Sequence, residues 1–108
     1  MSYLLPDTKD NLVLNLSDLI SLRDAHMSGG NIVMRDLDRE NLERLQCSDP
    51  ESWPPILVTR CTAGYLVIDG YHRWEVATRR QLGMLKATCR AYHDENEVIE
   101  AAFRANLS

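Results

Sequence analysis

"LVIDGYHRWEVATRRQLG", residues 66–83, sets the reading of the whole chain. Leu66, Val67 and Ile68 have the apolar, partly β-branched character of a buried strand, and Asp69-Gly70 stops the run. From Tyr71 the pattern turns helical, with Trp74 and Ala77 as core contacts and Gly83 where a helix ends on glycine, so a helix is expected over 71–82. Helix starts favour carboxylates and hydroxyls, which complement free N–H groups and the positive end of the dipole. This one opens Gly70-Tyr71-His72-Arg73 instead. Unsatisfied N–H groups, a glycine that admits close approach, an imidazole donor and a planar guanidinium fork together describe a small phosphate site. Arg79 and Arg80, two turns on, join it only if their side chains face the same way. Asp69 is either a turn residue or a carboxylate aimed into the same pocket.

Working outward, "ILVTRC" (56–61) and "YLVID" (65–69) flank Thr62-Ala63-Gly64 and read as a hairpin, Ile56–Cys61 with Tyr65–Asp69, apolar enough to be buried on both faces. "KATCRAY" alternates Ala87, Cys89 and Ala91 with polar residues and predicts a strand over Lys86–Tyr92, reached by a strand–helix–strand crossover that suits a parallel neighbour. Asp94 and Glu97 form a capping box for a helix over 94–106, with Val98, Ile99, Ala102 and Phe103 on its apolar stripe. The first half predicts a strand at Leu12–Leu14, then a short helix capped by Ser17 that carries Leu19, Ile20 and Leu22. Ser28-Gly29-Gly30 stops it, and Ile32–Met34 is extended. A helix near 38–47 follows, with Leu37, Leu42 and Leu45 on one face and Asp38 and Glu40 at its start, before the rigid loop "SDPESWPP". The fold class is α+β: one domain over 1–108, a small mixed sheet flanked by helices.

A chain of 108 residues, 44% of them hydrophobic, supports a single core. No apolar stretch approaches the ~20 residues of a bilayer span, and "MSYLLPDTKD" lacks the features of a secretory signal, so a soluble cytoplasmic protein without a membrane role is expected. Cys47, Cys61 and Cys89 have neither metal-ligand spacing nor an even count, and read as reduced structural thiols. Residues 1–51 hold five Lys/Arg against ten Asp/Glu, and residues 52–108 seven against six. No basic stripe broad enough to hold duplex DNA is evident in that balance. The last helix stops without glycine, proline or basic cap, which predicts a longer natural chain; a frayed terminus is the alternative.

The succession of a Leu-rich helix, "PPILVTR", "YLVIDGYHRWEVATRRQLG" and "VIEAAFRANLS" resembles the N-terminal domain of the ParB/sulfiredoxin superfamily, over most of the chain from about Leu12. In ParB-like proteins a Gly-Glu-Arg-Arg or Gly-x-His-Arg turn grips nucleotide phosphates, and a later helix carries a Glu-Asn pair. The resemblance places these functions on Gly70, Tyr71, His72 and Arg73, and on Ala105 and Asn106. Tyr71 stands where the sulfiredoxin branch has a reactive cysteine, and a phenol does not replace a thiolate nucleophile. Tyr71 and Ala105 also replace the two glutamates that would hold a metal or activate its water.

The resemblance therefore implies a nucleotide-phosphate-binding domain of a ParB-like partition or transcriptional regulator, binding CTP or ATP with or without Mg. It also implies DNA contact through a following region and a homodimer as candidate assembly. No catalytic residue and no protein metal ligand is assigned, and nucleotide hydrolysis is expected to be weak or absent. Phosphate-binding residues are expected at Gly70, Tyr71, His72, Arg73 and Asn106, with Asp69, Arg79 and Arg80 as further candidates. The alternative is a metal-dependent phosphoryl-transfer enzyme of the same fold, a nuclease or small-molecule kinase. A plain dimerisation domain that has lost its ligand is the third reading.

Overall fold

The computed structural model describes residues 3–25 and 37–107. Strands β1 (Lys9–Asn15), β2 (Leu19–Ile20), β3 (Ile56–Cys61), β4 (Gly64–Asp69) and β5 (Met84–Cys89) form one mixed sheet in the order β1-β5-β3-β4-β2. Among the described residues, helices α1 (Arg39–Gln46), α2 (Tyr71–Arg79) and α3 (Glu95–Leu107) supply the helical part of the expected α+β architecture.

Alternation along the central strands divides the core in two. Ile56, Val58 and Val67 point to the face covered by Leu42 of α1 and by Val76 and Ala77 of α2. Cys61, Leu66 and Ile68 point to the face covered by Val98 and Ala102 of α3. Neighbours on β4 thus serve opposite cores, which is why this strand reads as a continuous apolar run.

The hairpin forms as expected, with Val58 opposite Val67 and Arg60 opposite Tyr65. The crossover ends differently. β5 finds its parallel neighbour in β3, with Ile56 opposite Ala87, and runs antiparallel to β1. The outer edge of β4 is occupied by β2, Leu19 facing Tyr65, so the chain leaving α2 lands on the other side of the hairpin.

The sequence expectations at β1, β2 and β5 need correction. The helix after Ser17 is a single 3-10 turn, Leu16–Asp18, followed by β2. Leu19 and Ile20 pack into opposite cores, an alternation that suits a strand and defeats a helix. The first strand is longer than Leu12–Leu14, and β5 lies upstream of Lys86–Tyr92, because the β1–β5 ladder runs from Asn15–Met84 to Lys9–Cys89 and stops there. The extended Ile32–Met34 and the stop at Ser28-Gly29-Gly30 lie outside the described residues.

The two later helices show how local side chains set boundaries. At α3, Asp94 Oδ1 accepts from the Glu97 N–H at 3.0 Å, the forward half of the expected capping box, while Glu97 Oε1 accepts from the His93 N–H at 3.2 Å, one residue before the cap. α2 ends before the expected Leu82. The Leu82 N–H donates to Ala77 O at 3.0 Å and the Gln81 N–H to Thr78 O at 3.1 Å, and it is Gln81, at φ 56°, that takes the left-handed position assigned to Gly83. Gln81→Gly is therefore expected to raise stability by about 0.5–1 kcal/mol, since left-handed geometry costs an L-residue ~1–2 kcal/mol and glycine's extra chain entropy offsets part of the gain. A urea midpoint that fails to rise would contradict this account of the cap.

Candidate functional site

The start of α2 is where the sequence signals converge. Gly70 is its N-cap at φ 120° and ψ 22°, and no side chain caps the helix. The first-turn N–H groups of Tyr71, His72 and Arg73 have no acceptor within the helix itself. With the dipole behind them, they make the mouth of α2 attractive to an anion. Gly70 itself serves the core: a Cβ there would sit 2.3 Å from Ile56 Cγ2. The glycine is required by packing at this point, beyond any need for close approach of a ligand.

The three side chains of this turn are committed inward. The Tyr71 hydroxyl donates to Val67 O at 2.6 Å and accepts from the Leu22 N–H at 3.0 Å, tying the exit of β2 to β4 and α2. Burial pushes the phenol up to about 12, so it stays a neutral bridging group. His72 Nε2 accepts from the Asp38 N–H at 2.8 Å, where the sequence suggested a donor to phosphate.

Arg73 departs furthest from expectation. Its Nη1 donates to Pro54 O at 2.5 Å and Pro55 O at 2.9 Å, and Nη2 lies 3.7 Å from Asp69 Oδ2. Only 15% of the side chain is exposed, whereas Asp69 is 48% exposed. Burial lowers the affinity of the guanidinium for its proton and Asp69 partly restores it. The fork is thus a clamp on the entry to β3, although its charge remains beside the mouth.

Arg79 and Arg80 are not brought to the mouth. Nine helical residues span ~13 Å, and both side chains are engaged at the far end: Arg79 Nε with Glu75 at 3.1 Å, and Arg80 Nη1 with Leu45 O at 3.3 Å and Ser48 O at 2.8 Å, closing the end of α1. The Arg80 guanidinium also lies over Trp53, 5.9 Å from the ring centre. The Asn106 side chain lies outside the described residues.

A wider pattern emerges that sequence reading missed. Lys86 Nζ donates to Glu51 O at 2.6 Å, so Arg80, Lys86 and Arg73 together hold backbone carbonyls along residues 45–55. The other cations of the second half are paired too: Arg60 with the Tyr65 hydroxyl, Arg90 with Asp10 and Arg104 with Glu100. The seven Lys/Arg of residues 52–108 all have partners within the molecule. Only the motif "PP" before a strand hinted at a segment in need of such anchoring.

Among the described residues no group of three or more His, Cys, Asp or Glu side chains is placed to hold a metal ion. Two surface clefts lie elsewhere, one of about 500 Å³ between Val13, Trp53 and Met84, the other of about 420 Å³ between Pro6, Leu12 and Cys89. Among the described residues no helix is long and apolar enough to cross a membrane.

Among the described residues, a mixed sheet with two helices on one face and a glycine turn leading into an uncapped helix start define a small α+β domain. The chain belongs to the ParB N-terminal domain family, whose pattern it matches over residues 20–107. It is similar in structure to the C-terminally truncated chromosome-partitioning protein ParB from Caulobacter crescentus complexed with CTP-gamma-S, with a TM-score of 0.67 and 24% identity over 92% of this chain and 53% of that one. The same protein complexed to the centromeric parS site gives a TM-score of 0.65 and 24% identity, over 89% of this chain and 46% of that one. These likenesses establish the fold. The chain spans about half the length of those two. No curated protein matches the sequence.

Proposed function

We propose that this chain is the nucleotide-phosphate-binding domain of a ParB-type partition or transcriptional regulator. It holds CTP or ATP by the phosphates at the start of α2, with or without magnesium, while DNA is bound by a region outside residues 1–108 and a second copy of the chain is the partner. The observation that carries this reading is the helix that opens on Gly70 without a side-chain cap. Backbone N–H groups of Tyr71, His72 and Arg73 are the proposed donors, and the Arg73 charge adds attraction without a free fork. Asn106 remains a proposed oxygen ligand on the family resemblance alone, and Asp69 balances Arg73 at the rim. Family membership and the CTP-gamma-S carried by the Caulobacter protein support a nucleotide as the ligand class. The parS complex of that protein, together with the internal pairing of the basic residues here, supports DNA contact outside this segment.

Titration with CTP, ATP and GTP, each with and without magnesium, tests the reading through the fluorescence of Trp74 and Trp53. Trp74 stands in α2 next to the mouth and packs 5.8 Å from the Tyr71 ring. A saturable change with CTP or ATP is expected, with phosphate release slower than the ~1 per second of ordinary enzymes, because Tyr71 and Ala105 offer no carboxylate to a hard metal ion. No response to any of the three at millimolar concentration would end this proposal.

A further inference from the structure

We infer that His72 is a positioning residue of the α2 mouth: through Nε2 it accepts a hydrogen bond that fastens the start of α1 to α2, and it does not donate to phosphate from that nitrogen. The consequence for ligand affinity rests on the nucleotide reading above. The Asp38 N–H faces Nε2 at 2.8 Å, which demands a lone pair there and places the ring proton on Nδ1. A donor to phosphate at Nε2 would need a proton in the same position, so the two uses exclude each other.

The residue being held is a cap. Asp38 Oδ1 accepts from the Glu40 N–H and Oδ2 from Asn41 Nδ2, each at 3.0 Å, so both oxygens are turned onto α1. α1 has eight residues, too short to be stable without caps and packing. Leu42, with Leu37 and Leu45, supplies the packing against the α2 face of the core. His72 supplies the second tether, from the first turn of α2. An acceptor suits the place, since the positive ends of two helix dipoles meet there. The elements it joins carry Asp38 as the cap of α1, Arg39 and Glu40 in its first turn, Arg73 and Glu75 on α2, and Asp69 at the end of β4. Without the tether, the start of α1 and its carboxylate are free to shift toward the anion site, and a carboxylate beside phosphates opposes binding.

Lysine at this position separates acceptor from donor. By charge alone, His72→Lys should tighten an anion; by loss of the acceptor it should weaken it. The expected result is that His72→Lys and His72→Ala both weaken CTP or ATP about fivefold, the scale of one hydrogen bond. His72→Gln, which keeps an acceptor, should recover most of what His72→Ala loses. A His72→Lys variant that binds as well as or better than the parent would overturn the inference. The nucleotide-free 108-residue chain gives an independent readout by ring ¹⁵N spectroscopy: Nε2 without a proton, coupled to the Asp38 amide, is expected, and a protonated Nε2 would overturn the inference. If the parent binds no nucleotide while that coupling is present, the nucleotide reading fails and the tether stands.

Discussion

Gly70→Ala is expected to lower the free energy of unfolding by about 2–6 kcal/mol, combining ~1–3 kcal/mol for a strained backbone with ~1–3 kcal/mol for overpacking. The added Cβ would lie 2.3 Å from Ile56 Cγ2 and 2.7 Å from Ile56 Cβ, distances that demand movement. Ile56 has no freedom to yield, being inaccessible to solvent and the first residue of β3, paired with Ala87. The backbone at φ 120° adds strain whatever the space. Gly83→Ala is the matched control: its φ of 81° carries strain, but a Cβ there meets no atom within 4 Å. Urea midpoints should fall much further for Gly70→Ala than for Gly83→Ala. Equal losses would mean that conformation alone, and not contact with Ile56, explains the glycine.

Arg73→Ala should cost about 2–3 kcal/mol of stability, within the range for charge-assisted hydrogen bonds. The guanidinium bridges Pro54 O and Pro55 O and so fixes the chain as it enters β3. Both prolines are exposed, so water replaces part of what is lost, and the 3.7 Å pair with half-exposed Asp69 contributes little. Arg73→Lys keeps the charge and loses the planar fork, so it should restore only part of the stability. The sequence suggested a guanidinium fork for a ligand, whereas here the fork is bonded to Pro54 O and Pro55 O. Nucleotide affinity of these variants is meaningful only below their unfolding transitions. There, Arg73→Lys should retain most of the affinity if charge alone is what Arg73 contributes. An Arg73→Ala variant as stable as its parent would contradict the clamp.

What could be read from the sequence was what local chemistry writes. The hairpin, the start of α2 and the Asp94 cap of α3 each rest on residues within a few positions of one another, such as Asp94 and Glu97. The uncapped helix start was legible for the same reason. β2 was not, because two residues make a strand only by pairing with Tyr65 and Leu66, some 46 positions away. The targets of Arg73, Arg80 and Lys86 were hidden because they are backbone carbonyls, which carry no sequence signature. The partner of His72 was hidden for the complementary reason: an imidazole next to an anion site suggests a donor, and the Asp38 N–H that it accepts from is brought to it by the fold. Gly70 was recognised as special, but Ile56, the residue that requires it, is named only by the fold.

Amide chemical shifts of the ¹⁵N-labelled chain, followed through a titration with CTP and magnesium and then with ATP, test the central claim most directly. The account predicts saturable shifts that are largest at the Tyr71, His72 and Arg73 amides, with a smaller response at Asp38 transmitted through His72. Saturable binding whose shifts centre instead on the cleft between Val13 and Met84, with the first turn of α2 unmoved, would contradict it.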